Sequence, residues 1–414
     1  LDDCLVVSMG TGTAIVHAER DGKMTYLGGT GVGGGTLAVR LLGSGREEEA
    51  RKVASFSLVM AVCAALTFSS LCLIFMEPLL LILGASDNTL TFAKQYLFFV
   101  VVLGTLPTVL SATMSSMLRN VGYSREAAFG LGMGGLLNVA LDPLFIFVFD
   151  MGVRGAAIAT VISQTVSCLW VLRFLRSEKA ILKLKWKYMK PEGKLLGEIV
   201  SLGIPGFIMA GTNCLVQVAC NATLRVYGGD LYIGVMTVIN SARELFSLPV
   251  SGLSHGAQPV ISFNYGAKEY RRVRSGIVFM SVVGMVFTTI CWLLVLAFPR
   301  FILSLFSSDA QLVELGVRSM QIYFFGFCFM SMQFAGQSTF VALGQSRQAV
   351  FFSLLRKAFI VFPLTLLLPK VAGLGVDGVF LAEPISNLLG GAACFFTMLA
   401  TIWPMLKRGE EAKG

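Results

Sequence analysis

The chain has 414 residues, of which 55% are hydrophobic and only 14% are charged, and its mean hydropathy is +0.75. This composition excludes an ordinary water-soluble globular protein and is typical of a multi-pass membrane protein. The formal net charge is +9, but the Lys and Arg residues fall in short loops between apolar segments, which disfavours a nucleic-acid-binding surface. The nine Cys residues form no CxxC pair, so they predict neither disulfides nor a metal site.

The first 30 residues lack the pattern of a complete membrane helix. The segment LDDCLVVSMGTGTAIV begins abruptly, and HAERDGK then places five ionisable residues where a helix should enter the bilayer. We expect most of the first helix to be missing and the second helix to be shortened, as in a fragment or a chain with an altered start. The glycine run at 31–35 lacks the strand and the spacing of a dinucleotide loop, and close helix packing explains it better.

Ten apolar segments follow, each long enough to cross a membrane core of about 30 Å. They are predicted at residues 53–83, 91–118, 127–149, 153–175, 197–226, 231–263, 275–299, 312–342, 348–369 and 377–404. The long charged connection between the fourth and fifth segments divides the chain. The predicted parts are an N-terminal helix bundle (1–176), a basic linker (177–196), a C-terminal helix bundle (197–406) and a tail (407–414).

Basic residues fall on alternate connections, including the linker and the stretches 268–274 and 347–357. By the positive-inside rule, these connections and the C-terminal tail face the cytoplasm. The other connections, such as the turn around Asp150, are poor in Lys and Arg and are predicted to face the outside.

The two halves of the chain repeat. The stretch from Gly34, GGTLAVRLLGSGREEEARKV, aligns with AQPVISFNYGAKEYRRVRSG from Ala257, and GVRGAAIATVISQ from Gly152 aligns with GVDGVFLAEPISN from Gly375, each with an offset of 223. The stretches VGYSREA and LGQSRQA align with an offset of 222. Internal duplication is characteristic of secondary transporters. Because six spans separate equivalent points, the two halves have the same orientation.

An acidic residue interrupts the third apolar segment. A carboxylate at the bilayer centre costs roughly 2.5 to 3.5 kcal/mol, so Asp142 indicates a function. Asn138 and Asp142 are four residues apart and share a helix face, while Pro143 removes one backbone hydrogen bond beside them. Beyond the turn, Ala156 and Thr160 are again four residues apart on the returning helix, and Thr160 lies at the level of Asp142. Such oxygen ligands suit a hard cation or a proton; the alternative is that Asp142 only caps or kinks a packed hairpin.

The second half has no equivalent acid. Position 142 corresponds to Leu364 or Thr365, and Thr160 corresponds to Glu383. A cation site is therefore predicted in the first half alone.

These segments together resemble the multidrug and toxic compound extrusion (MATE) family of secondary transporters, from Gly31 to the end of the chain. The resemblance is carried by RLLGSG at Arg40, LRNVGYSREA at Leu118, NVALDPLFIF at Asn138, GVRGAAIATVISQ at Gly152 and GLSHGAQPVISFNYGAK at Gly252. It implies an all-α membrane fold of two pseudo-symmetric six-helix bundles, the first truncated at its N-terminus, around a cavity that opens alternately to each side. The implied activity is export of a cationic or amphiphilic drug in exchange for Na⁺ or H⁺, with no enzymatic reaction and no cofactor.

The family's cation site maps onto Asn138, Asp142, Ala156 and Thr160. It also includes an acid near the end of the first helix, for which Asp3 fits better than Asp2. We expect a monomer in the cell membrane, of the bacterial inner-membrane type, that contacts small substrates and lipid and binds no nucleic acid.

Three polar residues of the second half are candidates for a substrate cavity: Glu244, Glu383 and Gln217. Each has a structural alternative, because either acid could form an ion pair with a nearby base and Gln217 could link helices by hydrogen bonds. We favour the linking role for Gln217.

Other functions fit the sequence less well. A flippase for lipids or lipid-linked oligosaccharides would favour a strongly cationic cavity, whereas the intramembrane residues of this chain are interpreted as acidic or neutral. A membrane transferase would need paired acids or a His-based acid–base set, and the chain has two His residues. A non-transporting remnant of the family is a further alternative, suggested by the unusual start.

Overall fold

The computed structural model describes residues 7–8, 16–18, 24–26, 30–82, 94–177, 180–181, 188, 193–371 and 373–411. Three short strands precede the helices: β1 (Val7–Ser8), β2 (Val16–Ala18) and β3 (Met24–Tyr26). They form an antiparallel sheet in the order β1–β2–β3. Outside this small sheet, the described chain consists of helices and the turns between them, and the first described helix begins at Thr30.

The chain divides into two compact units, residues 1–207 and 208–414. The first contains α1 (Thr30–Gly43), α2 (Glu47–Ile74), α3 (Met76–Ile82), α4 (Lys94–Leu103), α5 (Thr105–Asn120), α6 (Ser124–Val148), α7 (Gly152–Leu175) and the start of α8 (Gly193–Gly266). The second contains the rest of α8 and then α9 (Tyr270–Ala297), α10 (Pro299–Ser304), α11 (Ala310–Tyr323), α12 (Phe329–Ala342), α13 (Ser346–Lys370) and α14 (Gly375–Glu411).

Helix length and composition support a multi-pass membrane protein. Among the described residues, α2, α6, α7, α9, α13 and α14 are long and apolar enough to cross a membrane. The pair α4 and α5, bent by 45°, makes a seventh candidate. Helix α8 covers two more of the predicted apolar segments and is interrupted at Gly229, whose φ of 70° is not helical. The predicted all-α membrane class is confirmed.

One face of α6 shows why these helices need an apolar solvent. Leu136, Val139, Phe147 and Val148 are each more than 70% exposed. So large an apolar surface is rare on a soluble monomer, whereas lipid chains cover it at no cost. Helix α6 is therefore a membrane helix that presents this face to lipid.

The sequence repeat is also a repeat of backbone conformation. Helices α2 and α9 both have 28 residues. The turn before α6 contains Gly122 at φ 98°, and the equivalent turn before α13 contains Gly344 at φ 77°. Gly152 and Gly375 start α7 and α14 at φ 52° and 50°. Because glycine adopts positive φ without steric cost, the duplicated glycines keep the same turns in both units.

Small residues bring α6 and α7 into close contact. The Ser167 Oγ donates a hydrogen bond to the Gly130 carbonyl at 2.9 Å. A Cβ atom at Gly134 would lie 3.0 Å from the Ser163 carbonyl oxygen, and one at Gly155 would lie 2.7 Å from the Phe145 carbonyl oxygen. These contacts fix the register of the hairpin along its whole length.

Adding a methyl group where the two backbones approach most closely should destabilise the hairpin. We expect Gly155→Ala to cost about 1 to 3 kcal/mol, because the backbone of Phe145 must move away. Gly132→Ala is the matched control, since a Cβ there meets nothing within 4 Å among the described residues and Ala favours the helix. Thermal unfolding of both purified variants in detergent measures the difference; an equal midpoint for the two would contradict the proposed close contact.

Candidate functional site

Asn138 and Asp142 lie on one face of α6, as their spacing predicts. The Asn138 Nδ2 donates a hydrogen bond to the Asp142 Oδ1 at 3.1 Å, and both side chains are half-buried. The phenol of Tyr96 in α4 is within electrostatic range of the Asp142 carboxylate. Val139, three residues before Asp142 and therefore its neighbour on the helix surface, is 71% exposed, so the pair borders the exposed side of α6.

Pro143 modifies α6 without ending it. The helix continues into a π-helical turn at Leu144–Val148, where the Phe149 N–H donates to the Leu144 carbonyl at 3.0 Å. Single π-helical turns often occur at functional sites. The sequence prediction of a lost backbone hydrogen bond at this point therefore corresponds to a widened turn directly after Asp142.

Ala156 and Thr160 form a second hydrogen-bonded pair on α7. The Thr160 Oγ1 donates to the Ala156 carbonyl at 2.9 Å. Since the hydroxyl proton is used within the helix, the lone pairs of Thr160 Oγ1 remain available to a cation. The hairpin register places Thr160 at a level between Asn138 and Asp142, because Phe145 lies opposite Gly155 and Gly134 lies opposite Ser163.

The fifth residue predicted for the cation site, Asp3, lies outside the described residues. Within the part of the chain that the structure describes, no group of three or more His, Cys, Asp or Glu residues could hold a metal ion. The four described candidates thus provide one carboxylate together with amide, carbonyl and hydroxyl oxygens.

Two of the three substrate-cavity candidates have neighbours in α8. Glu244 forms an ion pair with Arg243 at 2.9 Å. Adjacent helical residues point in different directions, but these two side chains are long enough to meet. Gln217 accepts a hydrogen bond from Asn240 Nδ2 at 3.2 Å and donates one to Asn221 at 3.3 Å. Gln217 precedes the interruption at Gly229 and Asn240 follows it, so the hydrogen bond between their side chains links the two parts of α8.

The third candidate, Glu383 in α14, is only 5% exposed and has two cationic partners in α13. Arg356 Nη2 lies 2.6 Å from Glu383 Oε1, and Lys357 Nζ lies 3.0 Å from Oε1 and 3.1 Å from Oε2. Arg356 and Lys357 are themselves 8% and 7% exposed. We call these three residues the C-terminal charge cluster.

The sequence interpretation missed this cluster. It assigned Arg356 and Lys357 to a cytoplasmic basic stretch at 347–357 and described the intramembrane residues as acidic or neutral. Both statements are wrong, because the two cations lie about three turns inside α13, in the middle of a membrane-spanning helix. The available signal was their position within the apolar segment predicted at 348–369.

Other polar side chains surround the cluster. Arg243 and Cys220 from α8 and Tyr323 from α11 are within electrostatic range of Glu383. The Cys220 Sγ lies 3.7 Å from the Thr365 Oγ1 in α13. The second unit therefore contains a buried polar centre built from four helices.

Comparison with known proteins places the chain in a family. Residues 22–144 and 197–367 match the MatE family. Multidrug export protein MepA of Staphylococcus aureus (strain MSSA476) is 27% identical over 344 residues, covering 83% of this chain and 75% of that protein. MepA of Staphylococcus haemolyticus (strain JCSC1435) is 27% identical over 378 residues, covering 91% of this chain and 81% of that protein.

Solved structures show the same fold. An outward-facing multidrug resistance MATE family transporter of the MOP superfamily superposes with a TM-score of 0.86 at 20% identity, covering 92% of this chain and 84% of that chain. A MOP superfamily transporter from Pyrococcus furiosus, described as having a binding pocket of reverse polarity, also superposes at 0.86 and 20% identity, covering 91% and 84%. With the family match over most of its length, this chain is a member of the MatE family, and hence a transporter rather than an enzyme.

Proposed function

We propose that this transporter exports cationic or amphiphilic drugs by alternating access, in exchange for Na⁺ or H⁺. The observation that carries the proposal is the half-buried Asp142 carboxylate in a membrane-spanning helix, hydrogen-bonded to Asn138. Ionisable residues at such positions usually belong to ion or substrate pathways. The staphylococcal relatives, which are named multidrug export proteins, support the substrate class.

The chemistry of the four described candidates suits a small cation. Asn138 uses its amide N–H on Asp142, so its carbonyl oxygen remains as a ligand, beside the Asp142 carboxylate. Thr160 Oγ1 and the Ala156 carbonyl provide neutral oxygens from α7. Oxygen ligands of this kind suit hard cations, and a proton on Asp142 would neutralise the same charge. Asp3, outside the described residues, would add a second carboxylate.

Neutralising Asp142 would drive the conformational change. A ligand shifts an equilibrium between two conformations only by its differential affinity for them. A partly buried carboxylate is costly when charged, so its neutralised and charged forms would favour opposite-facing conformations. Binding of the ion on one side and its release on the other would then return the transporter for the next drug molecule.

Reconstitution into proteoliposomes tests both the activity and the coupling ion. Vesicles loaded with ethidium would be given an inward Na⁺ gradient, an inward proton gradient or neither. We expect one of the two gradients to accelerate ethidium release and the condition without a gradient to leave it slow. Equal release under all three conditions would overturn the antiport proposal.

The C-terminal charge cluster favours one alternative. Buried Arg and Lys side chains suit an anionic head group, as a flippase for lipids or lipid-linked oligosaccharides would require. Glu383 already pairs with both cations, which makes this alternative the weaker one. Transbilayer movement of a fluorescent anionic lipid in the same proteoliposomes, without ethidium transport, would establish it; movement of neither compound would favour a non-transporting member of the family.

The proposal also assigns an orientation, with the linker and the C-terminus in the cytoplasm. The basic connections support it through the positive-inside rule. A fluorescent protein fused to the C-terminus should therefore fluoresce in bacterial cells, and an alkaline phosphatase fused there should be inactive. The reverse pattern would place the C-terminus outside.

Thr160 offers a test of the cation ligands with a matched control. Thr160 and Thr165 both lie on α7, are half-buried, and donate to the carbonyl four residues earlier, at 2.9 and 2.7 Å. We expect Thr160→Ala to raise the coupling-ion concentration for half-maximal transport roughly fivefold, because one ligand is lost, while Thr165→Ala leaves it unchanged. An equal change in both variants would indicate a general effect on α7.

A further inference from the structure

The internal duplication relates Glu383 to the proposed cation site. In the first unit the closest backbone contact at a glycine between α6 and α7 joins Phe145 and Gly155. In the second unit the equivalent contact joins Leu368 and Gly378, where a Cβ would lie 2.7 Å from the Leu368 carbonyl carbon. Because both hairpins share this register, Glu383 occupies in α14 the position that Thr160 occupies in α7.

The two units differ in what faces this position. Lys357 corresponds to Gly134 or Gly135 in α6, depending on whether the offset is 223 or 222, and neither glycine has a side chain. Within the described residues of α6, the first unit therefore has no built-in cation at this point. In the second unit, the Lys357 Nζ contacts both oxygens of Glu383.

We propose that the Lys357 ammonium is a tethered cation that occupies, in the second unit, the place where the first unit binds its coupling ion. This inference rests on the proposed cation site of the first unit. It makes binding of the coupling ion a property of the first unit alone, since the equivalent site of the second unit already contains its positive charge.

The contacts of Glu383 show which oxygen depends on Lys357. Arg356 contacts Oε1 at 2.6 Å, whereas Oε2 is contacted by Lys357 at 3.1 Å. Among the described residues, the other titratable groups within electrostatic range of Glu383 are Arg243 and Cys220 from α8, Tyr323 from α11 and Arg356 from α13. Removing the Lys357 ammonium would take away the cation that contacts Oε2, while Arg356 would stay on Oε1. The vacated place beside Oε2 is one that Na⁺ or a proton could fill.

The experiment measures thermal unfolding of the purified full chain in detergent. All variants carry Asp142→Asn, so that the first-unit site cannot respond. Adding Lys357→Met should make the unfolding midpoint rise, by at least about 2 °C, when choline is replaced by Na⁺ or when the pH changes from neutral to mildly acidic. Lys357→Arg is the matched control, because it keeps a positive charge beside Oε2 and should show no such rise.

The outcomes separate the two proposals. A Lys357→Met protein that responds to Na⁺ and pH no more than its Asp142→Asn parent would overturn the tethered-cation inference. If Lys357→Met does not accumulate in cells, Lys357→Arg should still accumulate, because it keeps a positive charge beside Oε2; loss of both proteins would show that Lys357 acts by packing, against the inference. A protein with Asp142 intact whose unfolding does not respond to Na⁺ or protons would instead contradict the proposed first-unit site.

Discussion

Replacing Asp142 with Asn is expected to reduce ethidium efflux to the level of cells without the transporter, a loss of about tenfold or more. The substitution nearly preserves the shape of the side chain and still allows Asn138 Nδ2 to donate to an oxygen at 3.1 Å. It removes the charge, however, so ion binding can no longer distinguish the two conformations. Efflux would be measured as the decrease in ethidium fluorescence from energised cells, normalised to the amount of protein in the membrane.

Asp150→Asn provides the matched control for this measurement. It is the same change of carboxylate to amide in the turn after α6, at an exposed residue with φ 50°, a conformation that Asn tolerates well. Efflux by Asp150→Asn should stay close to that of the unmodified chain. Undiminished efflux by Asp142→Asn would refute the role assigned to Asp142, and equal losses in both variants would indicate a damaged hairpin turn.

Replacing Glu383 with Gln is expected to destabilise the protein by about 3 to 5 kcal/mol. The change leaves Arg356 and Lys357 buried without their carboxylate, and a buried unpaired charge is among the most destabilising features of a folded protein. Thermal unfolding in detergent and the amount of folded protein recovered from membranes both measure the effect.

Glu244→Gln is the control for Glu383→Gln. The Glu244 side chain is 40% exposed and its partner Arg243 is 22% exposed, so water screens this ion pair and it contributes at most about 1 kcal/mol. A small effect at Glu244 together with a large effect at Glu383 would support the assignment of the charge cluster as buried and mutually compensated. Similar small effects at both positions would show that Glu383 is not needed to compensate its neighbours.

The sequence predicted the membrane class, the helix pairs and the repeat because these depend on local or linear properties. Apolar length identifies a membrane span whatever its neighbours are, and the duplicated motifs align without knowledge of contacts. The Asn138–Asp142 pairing followed from helical spacing, since residues four apart always share a face. The same rule relates Ala156 to Thr160.

Contacts between helices depended on the tertiary structure. The meeting of Lys357 with Glu383, 26 residues apart, requires a particular rotation and register of α13 against α14. Close packing of small residues such as Gly378 sets that register, and no local pattern encodes it. For the same reason the sequence could place Glu383 in a membrane helix but could not identify its partners.

Taken by itself, the sequence determined that this chain is a duplicated helical membrane protein with one unusual acid, Asp142, in its first half. The tertiary structure alone decided how charge is arranged in the second half, where Arg356 and Lys357 lie against Glu383 inside the unit. The physical reason is that periodicity reports which residues share a face of one helix, whereas the compensation of a buried charge is settled by which faces of different helices meet.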